Sequence, residues 1–184
     1  AHNREELIEK VDNAEQYSSR IIVEYMVKEL QEINCSVLGD CDDYQTSVLE
    51  QPLTSQDILT YTDKYMGGTK GAQGMAASAK KFPADLPEVE TKRIQFLAGE
   101  TFRVLSCHGV SRVDVMIEGA SAPDETGCRK IYVNEINTIP GSLSFYLWEA
   151  TGLSFDKLMD KLVQLALKRK RESAMKTVSY DQNI

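Results

Sequence analysis

Asn134-Glu135-Ile136-Asn137-Thr138-Ile139-Pro140-Gly141 is the stretch that decides how this chain is read. It follows the β-prone run 130–133. In an extended strand residues two apart share a side, so Glu135 and Asn137 present a carboxylate and an amide oxygen together where the strand ends. Upstream, Arg112-Val113-Asp114-Val115-Met116 does the same with Arg112 and Asp114. If the two strands pair as a hairpin across the polar loop 119–128, four polar side chains converge. Hard cations take oxygen ligands, and Mg²⁺ is usually held by one or two carboxylates together with substrate phosphates. The outline is that of a metal–phosphate site.

Three further blocks accompany it in order. Ile21-Ile22-Val23-Glu24-Tyr25-Met26-Val27 precedes Tyr61-Thr62-Asp63-Lys64-Tyr65, and Lys81-Phe82-Pro83-Ala84-Asp85-Leu86 follows. Together with Arg-Val-Asp and Asn-Glu-Ile-Asn-Thr-Ile-Pro-Gly they resemble the C-terminal part of the ATP-grasp ligases, most closely the D-alanine–D-alanine ligase family. The first block resembles the strand with the adenine-binding linker, the second the start of the active-site loop, and the third its exit. The resemblance runs from about residue 3 to about residue 168.

What the resemblance implies is an α+β, ATP-grasp fold of antiparallel sheets with packed helices. The N-terminal part of that fold, with two phosphate-binding lysines and a serine-glycine-rich loop, would precede Asn3. Residues 1–38 are expected to form part of the small subdomain, a helix plus a hairpin. Residues 39–172 would form the large subdomain with a lid loop at about 61–82, and 173–184 a loose tail. The implied activity is ATP-dependent joining of two D-alanines through an acyl phosphate, for peptidoglycan precursor synthesis. D-lactate or D-serine as second substrate is the alternative, and a non-catalytic nucleotide-binding module is the reading from another class. A homodimer is implied for the full-length enzyme, and this chain alone is expected to be inactive.

By the same resemblance, Asp114, Glu135 and Asn137 hold two Mg²⁺ ions that bridge the ATP phosphates, with Mn²⁺ an acceptable replacement. Arg112 stabilises the tetrahedral transition state with the backbone N–H of Gly141, where glycine lets the backbone approach the reacting carbon. A structural salt bridge between Arg112 and Asp114 is the plainer alternative. Glu24 receives the adenine amino group, Met26 and Val27 form the linker, and Glu32 accepts from the ribose hydroxyls. Lys64 contacts the γ-phosphate, with Tyr65 as its hydrophobic partner. The turn 28–31 departs from the family pattern. So does the segment 141–147, which leaves both Ser142 and Ser144 as the residue gripping the second substrate's carboxylate.

Bulk properties agree. The chain has 184 residues, 28 acidic against 21 basic, and a net charge of −7. That balance argues against a general nucleic-acid binder, which shows a basic patch or stripe. Lys168-Arg169-Lys170-Arg171 reads as a helix C-terminus, where cations suit the macrodipole. Cys35, Cys41, Cys107 and Cys128 show no zinc spacing, and Cys35 and Cys107 read as small core residues. No apolar run approaches the ~18 residues of a membrane span, and no signal-peptide pattern opens the chain. A cytoplasmic, reduced protein that binds no membrane is the economical expectation. The opening Ala1-His2-Asn3, without Met, suggests a fragment.

For local structure, Asn3 and Glu6 form a capping box for a helix ending near residues 17–19. Residues 21–27 and 33–38 read as an antiparallel hairpin, and the pattern then weakens from Gly39 to Lys81. The glycine-rich 66–74 lacks the strand–GK[ST]–helix frame of a P-loop. A helix opened by Pro87, strands at about 111–117 and 129–136, and a final helix capped by Ser154 complete the expectation. His108, in the turn before a strand, reads as structural.

Overall fold

The computed structural model describes residues 1–52 and 80–176. Its elements are α1 (Arg4–Glu15), β1 (Leu30–Gly39), β2 (Tyr44–Pro52), β3 (Lys80–Lys81), α2 (Glu88–Val104), β4 (Gly109–Glu118) and β5 (Ile131–Asn137). A 3₁₀ turn (Gly141–Ser144), α3 (Phe145–Thr151) and α4 (Phe155–Ala174) follow. The strands form one antiparallel sheet in the order β3-β2-β1-β4-β5. This is the α+β architecture expected, and the hairpin carrying Arg112, Asp114, Glu135 and Asn137 is present as β4–β5.

The expected hairpin of 21–27 with 33–38 is not formed. β1 has β2 on one side and β4 on the other, so both of its hydrogen-bonding edges are taken. Segment 21–27 is irregular, without a ladder partner among the described residues. Its apolar residues are largely solvent-facing: Ile22 is 82% and Tyr25 61% exposed. The actual hairpin partner is β2, in a stretch where the sequence pattern reads weakly. Its turn is built by Asp40, whose Oδ1 accepts from the N–H groups of Asp42 and Asp43, both at 3.0 Å. Gly39, at φ +147°, is required there because a Cβ would collide with the carbonyl of Asp43.

A boundary between residues 38 and 39 would divide β1 from partners it pairs with over its whole length, from Leu30↔Glu118 to Gly39↔Gly109. The loose tail also starts later than expected, since α4 continues to Ala174. Residues 177–184 and most of the expected lid lie outside the described residues.

Strand alternation gives the sheet two different faces. Ile33, Cys35, Val37, Leu49, Val113, Val115 and Ile117 point to one face and pack against Ile94, Ala98 and Phe102 of α2. The other face is divided. At one end Leu38 and Val110 meet Trp148 of α3 and Leu158 and Leu165 of α4. At the other end stand Asn34, Glu50, Arg112 and Asp114. Ser36 marks the border, accepting from Trp148 Nε1 and donating to the Ser111 carbonyl, both at 3.0 Å.

A β-bulge makes this possible in β5. Ile131 must face the core, whereas Glu135 and Asn137, also odd-numbered, must face away from it. The register slips between Asp114↔Glu135 and Val115↔Val133. The extra residue, Asn134, reverses the alternation, and each side chain reaches its proper face.

The cap of α1 follows the sequence, whereas Ser154 stands at the N-cap of α4 without a side-chain capping hydrogen bond. Glu6 N–H donates to Asn3 Oδ1 at 2.8 Å. Glu6 itself reaches back to the Asn3 amide and the His2 N–H. Pro87 occupies the N-cap of α2 rather than its first turn. No residue of α1 is buried.

Candidate active site

β4 and β5 align the four polar residues in register, Arg112 opposite Asn137 and Asp114 opposite Glu135. Arg112 donates from Nε to Asp114 Oδ1 at 2.6 Å and from Nη2 to Oδ2 at 2.7 Å. This bidentate pair is the salt bridge the sequence allowed. Asp114 holds the Arg112 guanidinium firmly protonated, raising its pKa against the effect of burial. Asn137 Nδ2 donates to Asp114 Oδ2 at 3.0 Å and to Glu135 Oε1 at 3.5 Å. Turned about its terminal torsion, the same amide presents its oxygen between the two carboxylates. Two carboxylates and an amide oxygen are the hard donor set that Mg²⁺ takes. Asp114 is 3% exposed, while Glu135 lies on the open edge strand.

Past β5 the chain enters the 3₁₀ turn after Pro140. Ser142, Leu143 and Ser144 all adopt left-handed backbone conformations, at φ 49°, 53° and 52°. Non-glycine residues hold that region at some cost, and such strain concentrates at functional sites. The turn divides the two serines. Ser142 is exposed, with Oγ donating to the Gly141 carbonyl at 2.7 Å. Ser144 is 1% exposed, and its Oγ has no partner among the described residues.

At the other end of β4–β5, a cleft of about 380 Å³ is lined by Glu24, Met26 and Val27 on one side and Met116, Tyr132 and Val133 on the other. Segment 21–27 is therefore placed beside the strands, though not as a strand. Tyr25 pins it, donating from Oη to Glu118 Oε1 at 2.7 Å. That carboxylate pushes the Tyr25 phenol pKa upward. Glu32 stands opposite Met116 in the β1–β4 register, on the strand that borders the cleft. Lys64 and Tyr65 lie outside the described residues.

A second polar cluster escaped the sequence reading. Glu50 is 1% exposed, and its Oε1 accepts from Asn34 Nδ2 at 3.2 Å and pairs with Lys80 Nζ at 3.4 Å. Lys80 Nζ also donates to Tyr146 Oη at 3.1 Å. The available signal was the Gly39-Asp40-Cys41-Asp42-Asp43 turn, which announces β2 and so places Glu50 on the site face. His108, expected to be structural, has its Nδ1 3.2 Å from the Ser106 carbonyl.

Residues 1–164 match the family model described as D-ala D-ala ligase C-terminus. The chain is 36% identical over 173 residues to the D-alanine--D-alanine ligase of Acetivibrio thermocellus, covering 92% of this chain and 42% of that relative. Among solved structures, it resembles the D-alanine-D-alanine ligase of Coxiella burnetii. The TM-score is 0.69 and the identity 28%, over 95% of this chain and 42% of that one. It also resembles the VanG D-Ala:D-Ser ligase of Enterococcus faecalis, at TM-score 0.64 and 30% identity, over 89% and 43% respectively. The chain thus spans less than half the length of these relatives.

Proposed function

The chain belongs to the D-alanine–D-alanine ligase family, and on that footing we propose that it supplies one half of the active site of an ATP-dependent ligase joining two D-alanines. The aligned quartet Arg112/Asn137 and Asp114/Glu135 carries this reading. A carboxylate is a poor electrophile, so an ATP-dependent ligase activates it as an acyl phosphate. A carboxylate oxygen of the first D-alanine attacks the γ-phosphorus and ADP leaves. The amine of the second attacks the acyl carbon, phosphate departs, and the amine proton is lost. Such transfers need alignment and charge neutralisation more than covalent help from protein.

Asp114, Glu135 and Asn137 would hold two Mg²⁺ ions, whose charge neutralises the phosphate oxygens, and Mn²⁺ suits the same donors. Arg112 exchanges part of its pairing with Asp114 for an oxygen of the reacting centre. The Gly141 N–H is the second donor to the tetrahedral oxyanion, an arrangement that stabilises charge as it develops. Glu24, Met26 and Val27 take the adenine at the cleft, Glu32 the ribose, and Lys64 with Tyr65 the γ-phosphate side. Ser142, exposed, fits the second substrate better than the buried Ser144. Residues 1–29 belong to the small subdomain and 30–174 to the large one. The complete enzyme is a cytoplasmic homodimer serving peptidoglycan synthesis, and this chain alone does not ligate.

The test is product analysis on the complete polypeptide, supplied with ATP, Mg²⁺, D-alanine, D-serine and D-lactate together. D-alanyl-D-alanine as the main product supports the reading. A mixed D-alanyl-D-serine or D-alanyl-D-lactate product would move the second substrate. Absence of any ADP release would leave a nucleotide-binding module.

A further inference from the structure

The linker beside the adenine cleft is fastened to the end of β4 at two points, and the scheme above uses neither. Segment 21–27 has no ladder partner among the described residues, so its place depends on such ties. Glu118 closes β4 opposite Leu30 of β1, and its backbone N–H donates to the Lys130 carbonyl at 2.9 Å. The residue is rooted between two neighbours and is only 4% exposed. Burying a carboxylate is costly unless it is paired. Its Oε1 accepts from Tyr25 Oη at 2.7 Å, and its Oε2 lies 3.5 Å from Lys130 Nζ. The Tyr25 hydroxyl, then Lys130 and the Lys28 N–H, hold the Glu118 carboxyl below the usual carboxylate range against the effect of burial.

Gly119 makes the second tie. Its N–H donates to the Glu29 carbonyl at 3.1 Å. A Cβ on Gly119 would stand 2.6 Å from that oxygen, so glycine is what lets the two backbones come this close. Glu29 meets it in a left-handed conformation at φ 48°, which a non-glycine residue holds at some cost. This is the turn 28–31 that departs from the family pattern. Between the ties lie Met26 and Val27, which line the cleft opposite Met116 and Tyr132. Tyr25 also sets its ring 6.5 Å from that of Tyr132. We infer that Glu118 and Gly119 are positioning residues for the nucleotide, holding the linker at the distance from β4 and β5 that shapes the adenine cleft. An untied linker samples other positions, and apparent affinity falls with the fraction that stays competent. The inference rests on the nucleotide-cleft reading given above.

The test is calorimetric titration of the complete polypeptide with ADP and with IDP, in Mg²⁺. Wild type is compared with Tyr25→Phe, Glu118→Ala, Glu118→Gln and Gly119→Ala. A hydrogen bond to a carboxylate contributes about tenfold to an equilibrium constant, so Tyr25→Phe, Glu118→Ala and Gly119→Ala should each weaken ADP by about three- to tenfold. IDP already lacks the amino group that the linker side receives, so it weakens less and the preference for ADP shrinks. Glu118→Gln keeps an acceptor for Tyr25 and stays closer to wild type than Glu118→Ala, while KM for D-alanine holds in all. Unfolded protein lowers the stoichiometry and not the Kd, and Tyr25→Phe deletes a single oxygen from a largely exposed ring. An unchanged Kd for ADP in Tyr25→Phe overturns the role of Glu118, and one in Gly119→Ala overturns that of Gly119. Equal weakening of ADP and IDP, which general loosening would produce, overturns both. A wild type that binds ADP yet forms no dipeptide strikes the ligase reading and leaves this one to the titrations; a wild type that binds no ADP strikes the cleft reading and the inference with it.

Discussion

Replacing Glu90 should loosen the strand that carries Glu135 and Asn137. Glu90, in the first turn of α2, is 2% exposed and accepts from the Arg129 backbone N–H at 3.0 Å. It also accepts from Arg129 Nε at 2.9 Å and Nη2 at 2.7 Å. Arg129 stands two residues before β5, so this pair pins the entry of the edge strand to the core helix. Removing one partner of a buried ion pair costs about 3–5 kcal/mol when the other stays buried. Arg129 is 23% exposed and rehydrates in part, which brings the expectation for Glu90→Ala down to about 2–3 kcal/mol. In a chain of this size that lowers Tm by roughly 4–12 °C. Glu90→Gln keeps the shape and one acceptor and loses less. Arg129 holds the Glu90 carboxyl below the usual carboxylate range. A depressed folded pKa gives stability that is full above the unfolded value of about 4.3 and is lost as pH falls through the folded value. The gap between wild type and Glu90→Gln should be open at pH 7 and close on acidification below that window. Thermal unfolding followed by fluorescence of Trp148, the single tryptophan, measures both. An unchanged midpoint for Glu90→Ala, or a gap that widens in acid, would refute the reasoning.

Trp148 is fully buried and joins the sheet to α3 and α4, so Trp148→Ala should cost about 3–5 kcal/mol; a urea midpoint matching wild type by circular dichroism would contradict that placement. Deleting Asn134 removes the bulge that reverses alternation in β5. The deletion should either bury Glu135 and Asn137 or expose Ile131, seen as lost protection of the β5 amides in hydrogen exchange, whereas wild-type protection would show that the bulge does not set the facing.

The juxtaposition of the quartet was legible because strand alternation alone puts Arg112 with Asp114 and Glu135 with Asn137 on shared sides, and the β4–β5 pairing keeps them there. Segment 21–27 was misread for a physical reason. Its β-branched composition favours a strand, yet a strand exists only with a hydrogen-bonding neighbour, and β1 already has two. β2 was missed because its burial pattern is irregular around the register shift at Cys35/Val37, which breaks the alternation a sequence reader looks for. The Glu50–Lys80–Tyr146 cluster was hidden with it. Its members lie far apart in sequence, and only the fold of the sheet brings them within hydrogen-bonding distance.

Mn²⁺ added to ¹⁵N-labelled protein with a non-hydrolysable ATP analogue tests the central claim most directly, since the bound ion broadens nearby amide signals. Broadening centred on Asp114, Glu135 and Asn137, and abolished by Asp114→Ala and by Glu135→Ala, is the expected result. Broadening centred instead on the acidic turn of Asp40, Asp42 and Asp43, and untouched by those substitutions, would contradict the assignment of the β4–β5 end as the metal–nucleotide site.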